Sequence, residues 1–143
     1  MTYLLRFVLF AAGCAVIWLG LNVSLGGIKT LGWQGAVGFI AITDVEIFNV
    51  QDNHMRFIAG VWTALGFLLI LGSIALDQMR GVLVACIIMI FFGGLSRFSG
   101  QELSVLLGQD IAPSLAAELI LFPILGFWIY QATVKQPVKS DQI

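Results

Sequence analysis

The sequence predicts an all-α fold, an integral membrane four-helix bundle, on two observations. The 143-residue chain is 59% hydrophobic and 10% charged, whereas soluble domains contain roughly 45–50% apolar residues. It also has four apolar segments, each near the length of about 20 residues that a helix needs to cross the hydrocarbon layer of a membrane. These segments lie at about residues 4–25, 54–76, 81–97 and 113–134, so we predict a single four-span membrane domain over residues 1–143.

Residues 4–25 are predicted to form an uncleaved first span. Arg6 resembles the basic start of a signal peptide, and residues 11–14, which end in Cys14, resemble a lipoprotein cleavage box. However, only about seven residues separate Arg6 from Cys14, which is at the lower limit for the apolar core of a signal peptide. The apolar run also continues well beyond Cys14, as a spanning helix requires.

Residues 26–53 are predicted to form an outer connection with an interfacial or re-entrant segment. Their first half is apolar but is interrupted by glycines, which leaves a stretch of about a dozen residues that is too short to span. Residues 43–47 alternate between polar and apolar, like a short strand. We interpret Asp44 and Glu46 as a solvated face rather than as metal ligands, because no further carboxylate or histidine cluster completes a coordination shell.

The remaining connections are shorter or more polar. The turn at residues 77–80 is tight enough to predict an antiparallel hairpin of the second and third spans. Residues 98–112 are predicted to be the second outer connection, with helical character around residues 102–107. Pro113 suits the first turn of the fourth span, where its missing N–H loses no partner. Residues 135–143 are predicted to be a polar cytoplasmic tail.

The distribution of positive charges predicts the orientation of the spans. In a four-span protein the N-terminus, the 77–80 turn and the C-terminal tail share one side, which carries Arg6, Arg80, Lys135 and Lys139. The loops of the other side hold only one basic residue, Lys29, and most of the acidic residues. Because basic residues are enriched on the cytoplasmic side, we expect both termini in the cytoplasm and both longer connections outside.

Three ionisable residues within or at the ends of the spans form the candidate site: Arg56, Arg97 and Glu118. A charge inside a membrane costs a few kcal/mol on insertion scales, so such a group tends to face the bundle and find a partner. Glu118 lies five residues after Pro113, roughly 7 Å into the fourth span at the rise of an α-helix. We therefore predict that the three residues share one level near the outer face, with His54 as a further candidate for ligand binding.

Two interpretations of this level remain open. Glu118 could pair with one arginine to hold the helices together while the other arginine binds a lipid phosphate. Alternatively, two arginines and one glutamate leave one positive charge, which would attract the carboxylate or phosphate of an amphiphile. Near this level, Ala59, Gly60, Thr63 and Ala64 resemble a small-residue helix-packing face. Pro123 is predicted to disturb the helix beside Glu118.

Several classes of function are disfavoured. The net charge of -1 and the absence of a Lys/Arg cluster argue against a nucleic-acid partner. The sequence contains no HExxH, GxSxG or phosphate-loop motif and no His/Cys metal set, so we predict no catalytic residue, metal or cofactor and favour a protein that is not an enzyme. Cys14 and Cys86 lie in apolar runs and are interpreted as buried small hydrophobic residues.

Three short motifs carry a family resemblance. They are NHMRFIAGVW at residues 53–62, FGGLSR at residues 92–97 and AELIL at residues 117–121. With these motifs the chain resembles the bacterial family called domain of unknown function 4345, which is similar to the DoxX-like four-helix membrane proteins. The resemblance implies a four-helix bundle in the bacterial inner membrane and a role for Arg56, Arg97 and Glu118. It implies no established activity.

The leading hypothesis is a multi-pass membrane protein that binds an amphiphilic or lipid-like anion in an outer-leaflet pocket, as an accessory subunit. Some DoxX-like proteins are subunits of quinone-linked oxidoreductases, so the resemblance implies a second hypothesis, a subunit or helper of such an enzyme. A third is a structural partner that docks another membrane protein through the small-residue face at residues 59–64. The sequence indicates no oligomeric state.

Overall fold

The computed structural model describes residues 2–30 and 41–134 of the chain. Within these residues the fold is all-α, as the sequence predicts, and contains no strand. A 3₁₀ turn, Ile28–Thr30, follows the first helix. The α-helices are α1 (Thr2–Gly26), α2 (Val45–Ile74), α3 (Arg80–Ser96), α4 (Leu103–Leu106) and α5 (Ala112–Val134).

In the described part of the chain, α1, α2 and α5 are long and apolar enough to cross a membrane. In the most apolar 18-residue segment of α1, α2 and α5, the share buried inside the protein is 28%, 33% and 28%, in that order. Large apolar side chains such as Phe7, Phe67 and Phe127 lie exposed on these helices. So much exposed apolar surface is typical of helices that face lipid, so the described helices indicate a membrane protein. Helix α3 is apolar as well but has only 17 residues.

Helix α2 begins nine residues before the predicted start of the second span, at Val45 rather than at residue 54. The prediction of a short strand at residues 43–47 is therefore wrong. The physical reason is Asp44, whose Oδ1 accepts a hydrogen bond from the N–H of Ile47 at 3.0 Å. A side-chain oxygen at this position satisfies an N–H that has no partner within the helix, and Glu46 in the first turn favours the helix dipole.

The connection between α1 and α2 is shorter than predicted, because residues 45–53 belong to α2. The predicted interfacial or re-entrant segment falls largely on residues 31–40, which lie outside the described residues, as does the predicted polar tail at 135–143. The second connection is confirmed to have helical character in α4, which begins after Glu102. Pro113 lies in the first turn of α5, as predicted.

The contacts of the chain group into two units, Leu9–Ile70 and Met1–Val8 with Leu71–Ile143. We call them the α1–α2 unit and the α3–α5 unit. The single four-span domain over residues 1–143 stays a prediction.

In the α1–α2 unit, the two helices run antiparallel and approach closely at glycines. A Cβ on Gly13 would lie 2.8 Å from the carbonyl oxygen of Gly66, and a Cβ on Gly20 would lie 2.7 Å from the backbone nitrogen of Thr63. Small residues permit such approaches between membrane helices. Ala59 is buried near Gly20 as well.

The predicted small-residue face therefore divides in two. Ala59 and Thr63 lie toward α1, whereas Gly60 and Ala64 are exposed on α2.

In the α3–α5 unit, α3 and α5 run antiparallel. The guanidinium of Arg80, at the start of α3, lies 5.1 Å from the ring centre of Tyr130 near the end of α5. At the opposite end of α3, Arg97 bonds to Glu118 near the beginning of α5. The two helices meet at Gly126, where a Cβ would lie 3.2 Å from the side chain of Ile87. Their buried residues include Ile87, Ile90, Leu125 and Ile129.

The two cysteines differ from each other. Both are free thiols, but Cys86 is buried in α3 whereas Cys14 is exposed on α1. The prediction of a buried residue is confirmed for Cys86 and is wrong for Cys14. Gly13 faces α2, and the next residue along a helix points about 100° away from its neighbour. In a membrane helix this direction leads to lipid, so an apolar sequence context does not require burial inside the protein.

Candidate functional site

Arg97 and Glu118 form a two-point ion pair. The Nε of Arg97 donates to Glu118 Oε2 at 2.7 Å, and Nη2 donates to Oε1 at 2.6 Å. Glu118 is only 4% exposed, so its carboxylate is removed from solvent. Charge-assisted bonds of this fork-to-fork type are short and directional. The geometry therefore fixes both the carboxylate and one edge of the guanidinium.

The backbone that holds Glu118 is not a regular α-helix. Residues Ala117–Leu121 form a π-helical turn inside α5, in which the N–H of Phe122 donates to the carbonyl of Ala117, five residues earlier. Pro123 lies just beyond this turn, and a proline inside a helix lacks an N–H and clashes with the carbonyl four residues before it. The irregularity predicted from Pro123 thus takes the form of a π-helical turn. Such turns occur frequently at functional sites.

Arg97 lies at the C-terminal end of α3, where its N–H donates to the carbonyl of Gly94 at 3.3 Å. Its side chain remains 36% exposed although Nε and Nη2 both bind Glu118. Among the residues that the structure describes, Nη1 donates to no acceptor. One edge of the guanidinium is therefore occupied by Glu118, and the other edge is open.

Arg56 is the centre of a different cluster, at the C-terminal end of α1. Its Nε donates to Asp52 Oδ2 at 2.7 Å. Its Nη1 donates to the carbonyl of Leu25 at 2.8 Å and to that of Ser24 at 3.1 Å. The last carbonyls of a helix have no partner within it and carry the negative end of the helix dipole. Arg56 therefore caps α1, and Asp52 orients it.

Gly27 completes this cap. Its φ of +83° lies in the left-handed region, and its N–H donates to the carbonyl of Val23 at 2.7 Å, which closes the helix. A Cβ at this position would collide with the side chains of Asp52 and Arg56. The second oxygen of Asp52, Oδ1, accepts the N–H of Ile28 at 2.6 Å. Chain reversal after α1 and the Asp52–Arg56 pair thus depend on each other.

A family comparison covers both clusters. The family model for the domain of unknown function DUF4345 matches residues 4–129, which is most of the chain. The chain belongs to this family. The resemblance inferred from the three motifs is thereby confirmed, and the matched range includes Arg56, Arg97 and Glu118. Neither the comparison with curated proteins nor the comparison with solved structures gave a match.

In this DUF4345 chain the predicted site residues have different bonding partners. Arg97 and Glu118 bind each other in the α3–α5 unit, whereas Arg56 binds Asp52 in the α1–α2 unit. His54 is exposed on α2 and is not a partner in either pair. The common level of Arg56, Arg97 and Glu118 stays a prediction.

Asp52 is the residue that the sequence argument missed. It lies four residues before Arg56, a spacing that places the two side chains next to each other on a helix. This spacing of four residues had no meaning in the sequence analysis, because residue 52 was predicted to lie in the connection at residues 26–53 and not in a helix. Asp52 binds Arg56, as Glu118 binds Arg97, so each arginine has its own carboxylate. The predicted excess of one positive charge is therefore wrong, because the four side chains form two ion pairs without net charge.

In residues 2–30 and 41–134, no group of three or more His, Cys, Asp or Glu side chains is arranged to hold a metal ion. At the Arg97–Glu118 pair, the open edge of the guanidinium presents N–H donors in a fixed plane.

Proposed function

We propose that this DUF4345 protein binds the phosphate or carboxylate headgroup of an amphiphile at the open edge of Arg97. The observation that carries the proposal is the division of the guanidinium: Nε and Nη2 hold Glu118, while the side chain stays 36% exposed. Arg56 is a poorer candidate, because its Nε binds Asp52, its Nη1 binds two backbone carbonyls of α1 and its Nη2 lies beside Gly27. Of the four predicted site residues, the proposal therefore rests on Arg97 and Glu118.

The energetics of a membrane favour this arrangement. A guanidinium at the end of an apolar helix is costly to desolvate, and Glu118 offsets part of that cost. The remaining donors lie in one plane, which suits two oxygens of a phosphate or carboxylate. Exposed apolar residues adjoin Arg97 in the chain, including Leu95 at 42% and Phe98 at 46% exposure. A ligand with a charged head and an apolar tail would satisfy both kinds of surface.

The same proposal includes an orientation. We place α1, α2, α3 and α5 as four spans in a bacterial inner membrane, with both termini in the cytoplasm and Arg97 toward the outer leaflet, in a protein that serves as an accessory subunit. In support, Arg80 stacks on Tyr130 at one end of α3, and Arg97 lies at the other. The 17 residues of α3 put about 25 Å between these ends. Arg6 donates to the carbonyl of Ile74 at 2.8 Å, at the end of the unit that holds Arg80.

The test is lipid retention by the protein extracted in native-membrane nanodiscs and analysed by native mass spectrometry. We expect Arg97→Gln to lose tightly bound phospholipid or fatty acid relative to the wild type. Glu118→Gln removes the competing carboxylate and frees the second edge, so it should retain at least as much anionic ligand. Arg80→Gln is the matched control, because it makes the same change at the opposite end of α3.

Two results would count against the proposal. Unchanged retention in Arg97→Gln would remove the role of the open edge. An equal loss in Arg80→Gln would show that any arginine near the headgroups has the same effect, and that the Arg97–Glu118 pair forms no distinct site.

A further inference from the structure

Gly94 packs directly against the residue that carries the buried carboxylate. Gly94 is buried in α3, and a Cβ at this position would lie 2.9 Å from the Cβ of Glu118 and 2.8 Å from Cδ2 of Leu119. Cβ atoms in proteins essentially never lie within 3.0 Å of a non-bonded heavy atom. The Cβ of Glu118 is attached to the helix backbone, so it could move away only if the π-helical turn moved with it.

Gly94 also contacts the other member of the pair. Its carbonyl accepts the N–H of Arg97 at 3.3 Å, in the last turn at the end of α3. Because Gly94 has no side chain, Glu118 can pack closely against α3 at this position. The carbonyl of Gly94 also accepts a hydrogen bond from Arg97, to which Glu118 binds.

The neighbouring glycine provides a contrast. A Cβ on Gly93 would meet no atom within 4 Å outside its own helix. Both glycines lie in the same turn of α3 and have the same helix propensity. Only Gly94 is required by its surroundings.

We propose that Gly94 is a positioning residue for the Arg97–Glu118 pair. Its lack of a side chain sets the distance between α3 and the π-helical turn at which both oxygens of Glu118 reach one edge of Arg97. An ordinary contact of a Cβ begins at 3.4 Å, so Gly94→Ala would push Glu118 away from α3. Hydrogen bonds of this kind weaken beyond about 3.2 Å, so a displacement of about half an ångström would lengthen the two bonds toward that limit and weaken the pair. The consequence for ligand binding rests on the proposed function; the positioning itself does not.

The experiment measures the coupling between the two charged residues by a double-mutant cycle. Arg97→Gln, Glu118→Gln and the double variant are compared by their thermal unfolding midpoints in nanodiscs, first with Gly94 and then in the Gly94→Ala background. With Gly94 present we expect the double variant to be less destabilised than the sum of the single variants. In the Gly94→Ala background we expect the effects to be closer to additive, because the pair is weakened.

The Gly93→Ala background is the matched control and should retain the full coupling. Full coupling in Gly94→Ala would overturn the proposal, and so would a loss of coupling in Gly93→Ala. If Gly94 had only a general structural role, Gly94→Ala would lower the unfolding midpoint without reducing the coupling. The experiment therefore distinguishes a structural role from a positioning role.

A second variant covers the case in which Gly94→Ala fails to fold. Leu119→Ala removes the Cγ and Cδ2 atoms that a Cβ on Gly94 would meet, but it leaves the contact with the Cβ of Glu118. We expect Gly94→Ala/Leu119→Ala to fold and still to show a reduced coupling between the two charge substitutions. Recovery of the coupling in this variant would assign the clash to Leu119 and overturn the proposal.

Lipid retention is read separately from the coupling. A protein with a Gly94-dependent coupling whose Arg97→Gln variant retains the wild-type lipid would contradict the proposed function and leave the positioning role intact.

Discussion

Arg56 and Arg97 both bind a carboxylate, and their side chains are almost equally exposed, at 38% and 36%. They differ in their other partners. Arg56 binds a carboxylate on its own helix, four residues away, and two carbonyls at the end of α1. Arg97 binds a carboxylate 21 residues away, on α5, and has an unoccupied edge.

The comparison shows that exposure alone does not identify a binding residue. The side chain of Asp52 is 15% exposed and its carboxylate also accepts a backbone N–H, whereas the side chain of Glu118 is 6% exposed and its carboxylate binds Arg97. The Arg56 cluster is thus a helix cap in which Nε and Nη1 are both bound within the protein. The Arg97 pair joins two helices and has donors left over for a ligand.

The largest expected effect comes from removing the partner of the buried carboxylate. Arg97→Gln leaves Glu118 at 4% exposure without its cation, and breaking a buried ion pair from one side typically costs about 3–5 kcal/mol. Because Arg97 is partly exposed, we expect the lower part of this range. Glu118→Gln should cost less, since the freed guanidinium can turn toward water or headgroups.

Equilibrium unfolding of both variants in the same lipid checks this order. If Glu118→Gln were the more destabilising of the two, the open edge of Arg97 would have no access to polar surroundings, and the contrast with Arg56 would disappear.

An intermediate effect is expected from the cap of α1. Gly27→Ala forces a side chain into the left-handed region, at about 1–2 kcal/mol, and adds a collision with Asp52 and Arg56. Gly100→Ala is the matched control, because Gly100 has a φ of +75° but no atom within 4 Å of its Cβ position. The difference in unfolding free energy between the two variants measures the contact with the Asp52–Arg56 pair. Equal losses would show that this pair moves aside freely.

The sequence was sufficient for the helical class, the family and the pairing of Glu118 with an arginine, because apolar length and buried charge follow from simple physical rules. It did not predict the start of α2, since the cap by Asp44 is a local hydrogen bond in a segment whose alternation resembles a strand. Because α2 was predicted to start at residue 54, Asp52 was not recognised as a partner of Arg56, which lies one helical turn further along α2. The choice between Arg56 and Arg97 as the partner of Glu118 depended on packing, which spacing along the chain does not specify.

The smallest expected effect is the substitution Asp52→Asn. It keeps the shape of the side chain but removes the charge that orients Arg56, a partly exposed pair within one helix for which a loss of about 0.5–1 kcal/mol is typical. The bond from Ile28 to Oδ1 can persist with the amide oxygen. We therefore expect a small decrease in unfolding free energy and no change in the lipid retained by the protein in native mass spectrometry.

Glu102→Gln, which neutralises an exposed carboxylate in the α3–α5 unit, is the control for the general effect of charge on lipid retention. A loss of lipid in Asp52→Asn but not in Glu102→Gln would return Arg56 to the binding site, because it would mean that the orientation of its guanidinium matters to a ligand as well as to the end of α1.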